Sequence, residues 1–251
     1  MKIAKLLLPI VIFFYSCSSK KVEKSELTEM NINAQVKFIK EFSFQMTERF
    51  GYYSKNNITY CSDTYFDIHG NKTKKVIYKT SGDVKSTVLY KYDNKGNKIE
   101  IIYYNLDGKV IGRTTYKYND VNQRTEMNIF NSGGMIKNKT KYYYDKMGYI
   151  LEKERYNPQE SLLDRRIYVR NKKGLCVVEK IIKSNNVVSK YQYDYDSNNN
   201  KIQSQYFLND TLFVFNNKFV YEYDDKKNWI QRIQYKNGIP KYIRMREIEY
   251  Y

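Results

Sequence analysis

The residues able to do chemistry are few in kind and many in number. The 251-residue chain has 28 tyrosines, 44 lysines and arginines, three cysteines and one histidine. The histidine, His69, stands inside Asp67-Ile-His-Gly70, a turn sequence where a polar side chain is ordinarily solvated filler. One histidine excludes a His-based triad and a multi-histidine metal cage. Asp93, Asp145, Asp196 and Asp224 recur at one position of a repeat. Copies of one position in adjacent repeats lie two strands apart, roughly 9–10 Å along a flat edge. Carboxylates that cleave glycosides instead face each other across a cleft. No glycine-rich phosphate loop is present. Catalytic residues, metal ligands and cofactors are therefore not expected, and the chain reads as a non-enzyme. What remains is rows of tyrosines beside lysines, a surface on which sugar rings or bases stack while cations neutralise acidic groups. The binding candidates are Tyr92, Tyr104, Tyr118, Phe130, Tyr144 and Tyr156. Arg170 joins them as a deviation, standing where other repeats carry tyrosine. The plainer reading is that these columns only pack the sheet.

The elements that position these side chains follow from a repeat. Tyr90-Lys-Tyr92-Asp93-Asn-Lys-Gly96-Asn97 recurs as Tyr116-Lys-Tyr118-Asn119, Tyr142-Tyr-Tyr144-Asp145, Tyr168-Val-Arg170-Asn171, Tyr193-Asp-Tyr195-Asp196 and Tyr221-Glu-Tyr223-Asp224. The Asp/Asn marker at 67, 93, 119, 145, 171, 196 and 224 sets a period of about 26 residues. Tyrosines at i and i+2 share one face of a strand. The marker side chain can bond the backbone two residues on, and Gly96 or Asn122, three later, tolerates the left-handed backbone of a type I turn with a bulge. A second aromatic and aliphatic column, Tyr78, Tyr104, Phe130, Tyr156, Ile182, Phe207 and Tyr235, precedes a second set of turns such as Asp107-Gly108 and Asn237-Gly238. Each unit is thus strand, turn, strand, turn. Glu100, Glu126 and Glu152 should meet Arg113, Lys139 and Arg165 across strands.

These residues resemble the YD-repeat (RHS-type) family, named for this Tyr-Asp and its glycine-containing turn, over residues 64–251. They also resemble bacterial lipoproteins built of the same hairpins. The resemblance implies a self-stacking β-sheet scaffold and imports no activity. The expected fold is all-β, an antiparallel meander of seven to eight tandem hairpins. An open, twisted, single-layer sheet is favoured over a closed barrel or shell. Residues 35–63 are less regular and read as an N-terminal cap. The end of the chain, Arg246-Glu-Ile248-Glu-Tyr250-Tyr251, reads as a closing edge strand.

At the start, Lys2 and Lys5 precede the apolar run Leu6–Tyr15, too short for a bilayer core that needs about 20 residues. Residues 1–16 read as a signal peptide, and Ser16-Cys17 resembles a bacterial lipobox, which implies a lipid on Cys17. Residues 17–34 read as a tether. Cys61 and Cys176 lie more than four repeats apart, near 40 Å in an open meander, and are expected to be free thiols.

The net charge of +17 falls to +15 once residues 1–16, with two lysines and no acid, are removed. Because the bases are spread along the chain, they read first as solvated faces and protected edges. The functional expectation is an exported, lipid-anchored protein, outer-membrane and facing the periplasm. It would act as a binding module for an anionic or glycan envelope polymer or another envelope component; the alternative is a protein-interaction or immunity-type scaffold with no small-molecule ligand. The partners expected are the membrane through the N-terminal lipid, a glycan or anionic polymer, and a protein; nucleic acid is not expected.

Overall fold

A computed structural model describes residues 25–251. A single helical turn, α1 (Glu26–Glu29), precedes sixteen strands: β1 (Val36–Arg49), β2 (Tyr52–Phe66), β3 (Lys72–Tyr78), β4 (Val84–Tyr92), β5 (Lys98–Asn105), β6 (Val110–Tyr118), β7 (Arg124–Asn131), β8 (Ile136–Tyr144), β9 (Ile150–Tyr156), β10 (Leu162–Arg170), β11 (Cys176–Lys183), β12 (Val188–Tyr195), β13 (Lys201–Leu208), β14 (Leu212–Tyr223), β15 (Trp229–Lys236) and β16 (Ile239–Tyr250). Each strand pairs antiparallel with its neighbours in sequence, and β1 also pairs with β16.

The sheet is therefore a closed barrel, which corrects the open, twisted sheet expected from the repeat. The reason is the backbone of its two ends. An open sheet would leave β1 and β16 with rows of unpaired N–H and C=O groups. Instead, Val36–Gln45 pairs with Tyr250–Tyr242, with one register shift between Val36 and Phe38. Side chains fix the same seam. Glu41 accepts a hydrogen bond from Arg246 Nε at 3.0 Å, Lys37 Nζ lies 2.6 Å from Glu249, and Tyr251 Oη donates to the Phe66 carbonyl at 2.8 Å. Cys61 and Cys176 are both free.

The marker turns form as their residues dictate. Asp93 Oδ1 accepts from Lys95 N at 2.9 Å and Asn97 N at 2.8 Å, and Gly96 turns left-handed at φ 76°. The register then shifts by one between Lys91 and Tyr92, the bulge such a turn imposes. All seven marker turns and both ends of the described chain lie at one end of the barrel, the near end. The other turns lie at the far end.

Strand alternation gives the barrel two unlike faces. In β6, Thr114, Tyr116 and Tyr118 turn inward, while Arg113, Thr115 and Lys117 turn outward. Sixteen strands make a ring too wide for wall side chains to fill; porin barrels of this count keep an aqueous channel. The near end is nevertheless occupied. Residues 25–35 cross it from the β2–β3 turn to the turns beyond β12 and β14. Leu27 N donates to the Gly70 carbonyl, Asn31 Nδ2 to the Asn198 carbonyl at 2.8 Å, and Asn33 N to Asn228 Oδ1 at 2.7 Å. Leu27 and Ile32 bury against Val36, Ile39 and Phe66, the apolar core of the molecule. Each such burial contributes about 1.5–3 kcal/mol. Gly70 is required here: its φ is +80°, and a Cβ would sit 2.9 Å from Leu27 Cδ1.

Candidate functional site: the plugged mouth and the inner wall

Beside this plug the near end keeps a cavity of about 480 Å³, lined by Glu26 and Glu29 of the plug and by Tyr92, Lys98, Tyr118, Arg124, Tyr144, Tyr149 and Arg170 of the wall. Each side chain is placed by its repeat. Tyrosines at the last position of β4, β6 and β8 point over the neighbouring hairpin. Tyr118 Oη donates to the Lys98 carbonyl at 2.8 Å, and Tyr144 Oη to the Arg124 carbonyl at 2.7 Å. The ladder continues around the ring, where Tyr195 Oη reaches the Cys176 carbonyl and Tyr221 Oη the Lys201 carbonyl, each at 2.7 Å. Arg170 occupies the tyrosine place and does the same work: its Nη2 donates to the Ile150 carbonyl at 3.2 Å, and its Nη1 to the Gly174 carbonyl at 3.0 Å.

Cations fill the spaces between rings. The Arg124 guanidinium carbon lies 4.6 Å from the Tyr116 centroid and 5.6 Å from that of Tyr142. Lys98 and Lys72 both bind Glu26, Lys72 at 3.2 Å. Burial pushes the Glu26 carboxyl up, but Lys98 and then Lys72 outweigh it and hold it below the usual value. Burial raises the Tyr92 and Tyr118 phenols. Three polar atoms along this wall, Tyr92 Oη, Arg124 Nε and Arg170 Nε, are buried without a hydrogen-bond partner. Buried donors of this kind are costly unless something arrives to accept from them.

The residues singled out in the sequence divide between two faces. Tyr92, Tyr118, Tyr144 and Arg170 come together in the mouth. Tyr104 and Phe130 lie on the outer face, beside Lys91, Glu100 and Arg113 in a shallow groove. Tyr156 is also outside, donating to Glu154 at 2.6 Å, and that bond pushes its phenol up to about 12. Cys17 lies outside the described residues. The sequence reading missed Lys98, Arg124 and the plug residues Glu26 and Glu29. A signal existed for the first two: the fifth residue after the marker is basic at Lys72, Lys98, Arg124 and Lys201. Among the described residues no group of three or more acidic, cysteine or histidine side chains could hold a metal.

No protein-family model matches the chain, and no curated protein matches it. Among solved structures, a porin-like protein from Bacteroides uniformis superposes with a TM-score of 0.56, covering 86% of this chain and 98% of that one at 10% identity. The fold is porin-like. A porin-like protein from Bacteroides vulgatus covers 84% of this chain and 99% of its own at 15% identity, with a TM-score of 0.47. The YD-repeat (RHS-type) assignment is corrected accordingly: the periodic tyrosines and turns are those of a closed, porin-like barrel, and no repeat family is matched.

The porin-like fold here carries an outer face unlike that of a lipid-facing barrel, which needs an apolar band about 25 Å tall. On the outside Lys91 pairs with Glu100 at 2.8 Å and Lys117 with Glu126 at 2.9 Å. Arg165 binds both Glu152 and Glu154 at 3.0 Å. The Arg165 pairs stand mid-strand, where a bilayer core would lie, and the Lys91 and Lys117 pairs stand a residue or two in from the marker turns. No helix among the described residues is long and apolar enough to cross a membrane.

Proposed function

We propose that the chain is a non-enzymatic binding module of the cell envelope that holds an acidic, ring-bearing ligand, such as a uronate or sulfated glycan, at its plugged mouth. The observation that supports this reading is the set of buried, unpartnered atoms Tyr92 Oη, Arg124 Nε and Arg170 Nε along one cavity wall. Tyrosine faces supply stacking platforms, and Arg124 and Arg170 supply forked donors matched to carboxylate or sulfate. Titration calorimetry with a galacturonate hexasaccharide and a heparin-derived hexasaccharide, against neutral maltohexaose, tests it. An acidic oligosaccharide should bind, and Arg124→Ala and Arg170→Tyr should each weaken it at least about tenfold. Equal binding of the neutral sugar, or no effect of either substitution, refutes the reading.

The charged outer face supports a barrel that stands in water and is held to the envelope by a lipid on Cys17, at the outer membrane facing the periplasm. Labelled palmitate should mark the wild type and not Cys17→Ala, and that variant should purify without detergent. Labelling of Cys17→Ala sinks the anchor.

A second reading, a protein-interaction scaffold, has its own observation. The β1–β2 hairpin outruns its pairing with β16 at the far end and carries Phe50, 98% exposed, beside exposed Tyr52 and Tyr53. Replacing these three by serine should abolish a protein contact and leave glycan binding unchanged.

A further inference from the structure

Across the ring from the mouth cavity, on the wall formed by β15, β16 and β1, three arginines turn inward around one carboxylate. Arg232 and Arg244 are direct cross-strand partners, and Arg246 lies two residues further along the same face of β16. Glu41 of β1 accepts from Arg246 Nε at 3.0 Å, and Arg244 Nη1 stands 3.6 Å from its other oxygen. Among the described residues no acid forms an ion pair with Arg232, so the cluster carries two positive charges in excess. Both buried guanidiniums press on the single tryptophan: the carbon of Arg246 is 3.4 Å, and that of Arg232 5.3 Å, from the Trp229 centroid.

This arrangement is costly as it stands. Like charges directly opposite across strands repel, and buried cations without partners are strongly destabilising. The Arg246 side chain is only 9% exposed, yet its Nη1 has no hydrogen-bond partner; neither has the buried Nε of Arg232. Glu41 orients Arg244 and Arg246 but leaves those two donors free, and Trp229 shields them from water. The half-exposed Arg244 keeps the cluster open to the lumen. Burial, followed by the neighbouring arginines Arg232 and Arg244, pulls Arg246 down to about 10 despite Glu41.

We infer that Arg232, Arg244 and Arg246 form an oxyanion site inside the barrel. Its occupant is a tetrahedral dianion of the phosphate or sulfate class, free or as the terminal group of a larger molecule. Two negative charges match the excess of two positive ones, and tetrahedral oxygens suit guanidinium forks converging from adjacent strands. Because β16 is the closing strand, occupation also fastens the seam. The inference does not rest on the mouth reading, since the two sites share no residue.

The test uses the full chain and the emission of Trp229, the only tryptophan. Sodium sulfate and inorganic phosphate are titrated against sodium chloride at constant ionic strength, with Tm followed in parallel. The expected result is a saturable change in emission and, at a hundredfold excess over Kd, a Tm rise of roughly 5–10 °C. Arg232→Gln and Arg246→Gln should each weaken binding at least about tenfold and lose the Tm rise. Lys117→Gln, the same charge change on the outer face, should lose neither. In chloride alone Arg232→Gln should melt no lower than wild type, because it relieves the repulsion. Should Arg246→Gln fail to fold, Arg244→Gln at its half-exposed position repeats the test. A Tm rise of equal size in wild type and all variants is a general salt effect and overturns the site. Loss of binding in Arg124→Ala but not in Arg232→Gln moves the anion to the mouth and also overturns it. Glycerol 1-phosphate binding as tightly as inorganic phosphate identifies a terminal group as occupant, and its exclusion identifies the free ion.

Discussion

The inner and outer faces of the barrel are built from alternate residues of the same strands, yet they treat charge differently. Outside, cations meet acids across strands, as in Lys91–Glu100 and Lys117–Glu126, with the cations well exposed. Such pairs contribute about 0–1 kcal/mol each and mainly keep the surface wet. Inside, some cations also meet acids, as in Arg246–Glu41, Arg155–Asp164 and Arg166–Glu179, but many lie on rings. Lys201 Nζ is 3.3 Å from the Tyr193 centroid, Lys153 lies over Tyr142 and Tyr168, and Arg246 covers Trp229. A ring does not cancel the charge of the cation over it, so an inner cation held by rings alone, such as Arg232, keeps its charge. Outside, Arg113 also covers Phe130, so the two faces differ in the balance of these uses rather than in kind.

The largest effect is expected from removing the condition that makes an inside at all. Deleting residues 93–118 joins Tyr92 to Asn119 and keeps every turn and side-chain parity. It also takes two strands from a ring whose number and stagger are linked. The shortened chain should lose cooperative unfolding by circular dichroism; a native-like melt would mean that the two faces do not depend on closure.

High pH should then strike the inner face most, where the raised phenols are most numerous. Unfolded tyrosines release their protons near pH 10. Burial holds the Tyr144 and Tyr195 phenols up to about 12. Between those values the unfolded state binds fewer protons, so stability falls as pH rises. Arg246, brought down to about 10, works in the opposite direction, as do Arg232, Lys153 and Lys201, which burial also lowers, but the raised tyrosines outnumber them. Barrel melting and phenol absorbance should therefore change together between pH 10 and 12. Phenol ionisation that precedes unfolding would show the inner tyrosines to be open to water.

The plug should respond to the opposite extreme. Glu26 is held below its ordinary 4.5, so its contribution is present at neutral pH and is lost as pH falls below that value. Glu26→Gln at neutral pH should imitate the acid effect. It should cost about 1.5–3 kcal/mol of local opening free energy, read as faster hydrogen exchange at residues 27–33 with the strands unchanged. Smallest are the single contacts. Tyr144→Phe, which removes one inner ladder bond, should cost about 1 kcal/mol. Lys117→Ala outside should cost less, and the reverse order would invert the comparison.

Much of this was legible in the residues. The 26-residue period, the marker turns with their left-handed Gly96 and Asn122, and the two-strand unit all follow from local spacing. Two of the three expected cross-strand pairs form, Arg113–Glu100 and Arg165–Glu152, while Lys139 turns to Glu160 and Glu126 to Lys117. Closure was not legible. It depends on Glu41 meeting Arg246 across 205 positions of sequence, and no local pattern encodes that register. Which tyrosine column faces inward was hidden for the same reason, since an open sheet has no inside. The mouth candidates Tyr92, Tyr118, Tyr144 and Arg170 could be named from the repeat, but Tyr104, Phe130 and Tyr156 could not be separated from them. Arg170 reads as a deviation in sequence, while in space it replaces a hydroxyl with a guanidinium that reaches the same carbonyl.

The seam between β1 and β16 also sets a timetable. Every other strand pairs with its immediate predecessor and can add as soon as it emerges, whereas β1 waits for a partner roughly two hundred residues downstream. Until β16 arrives, the growing molecule is a crescent with two unpaired edges, one fixed at β1 and one advancing with each new strand. Such edges template association between neighbouring copies, and contacts so distant in sequence form slowly. The species most exposed to misassembly is thus the nearly finished crescent, in which fifteen of sixteen strands are in place and neither edge is covered.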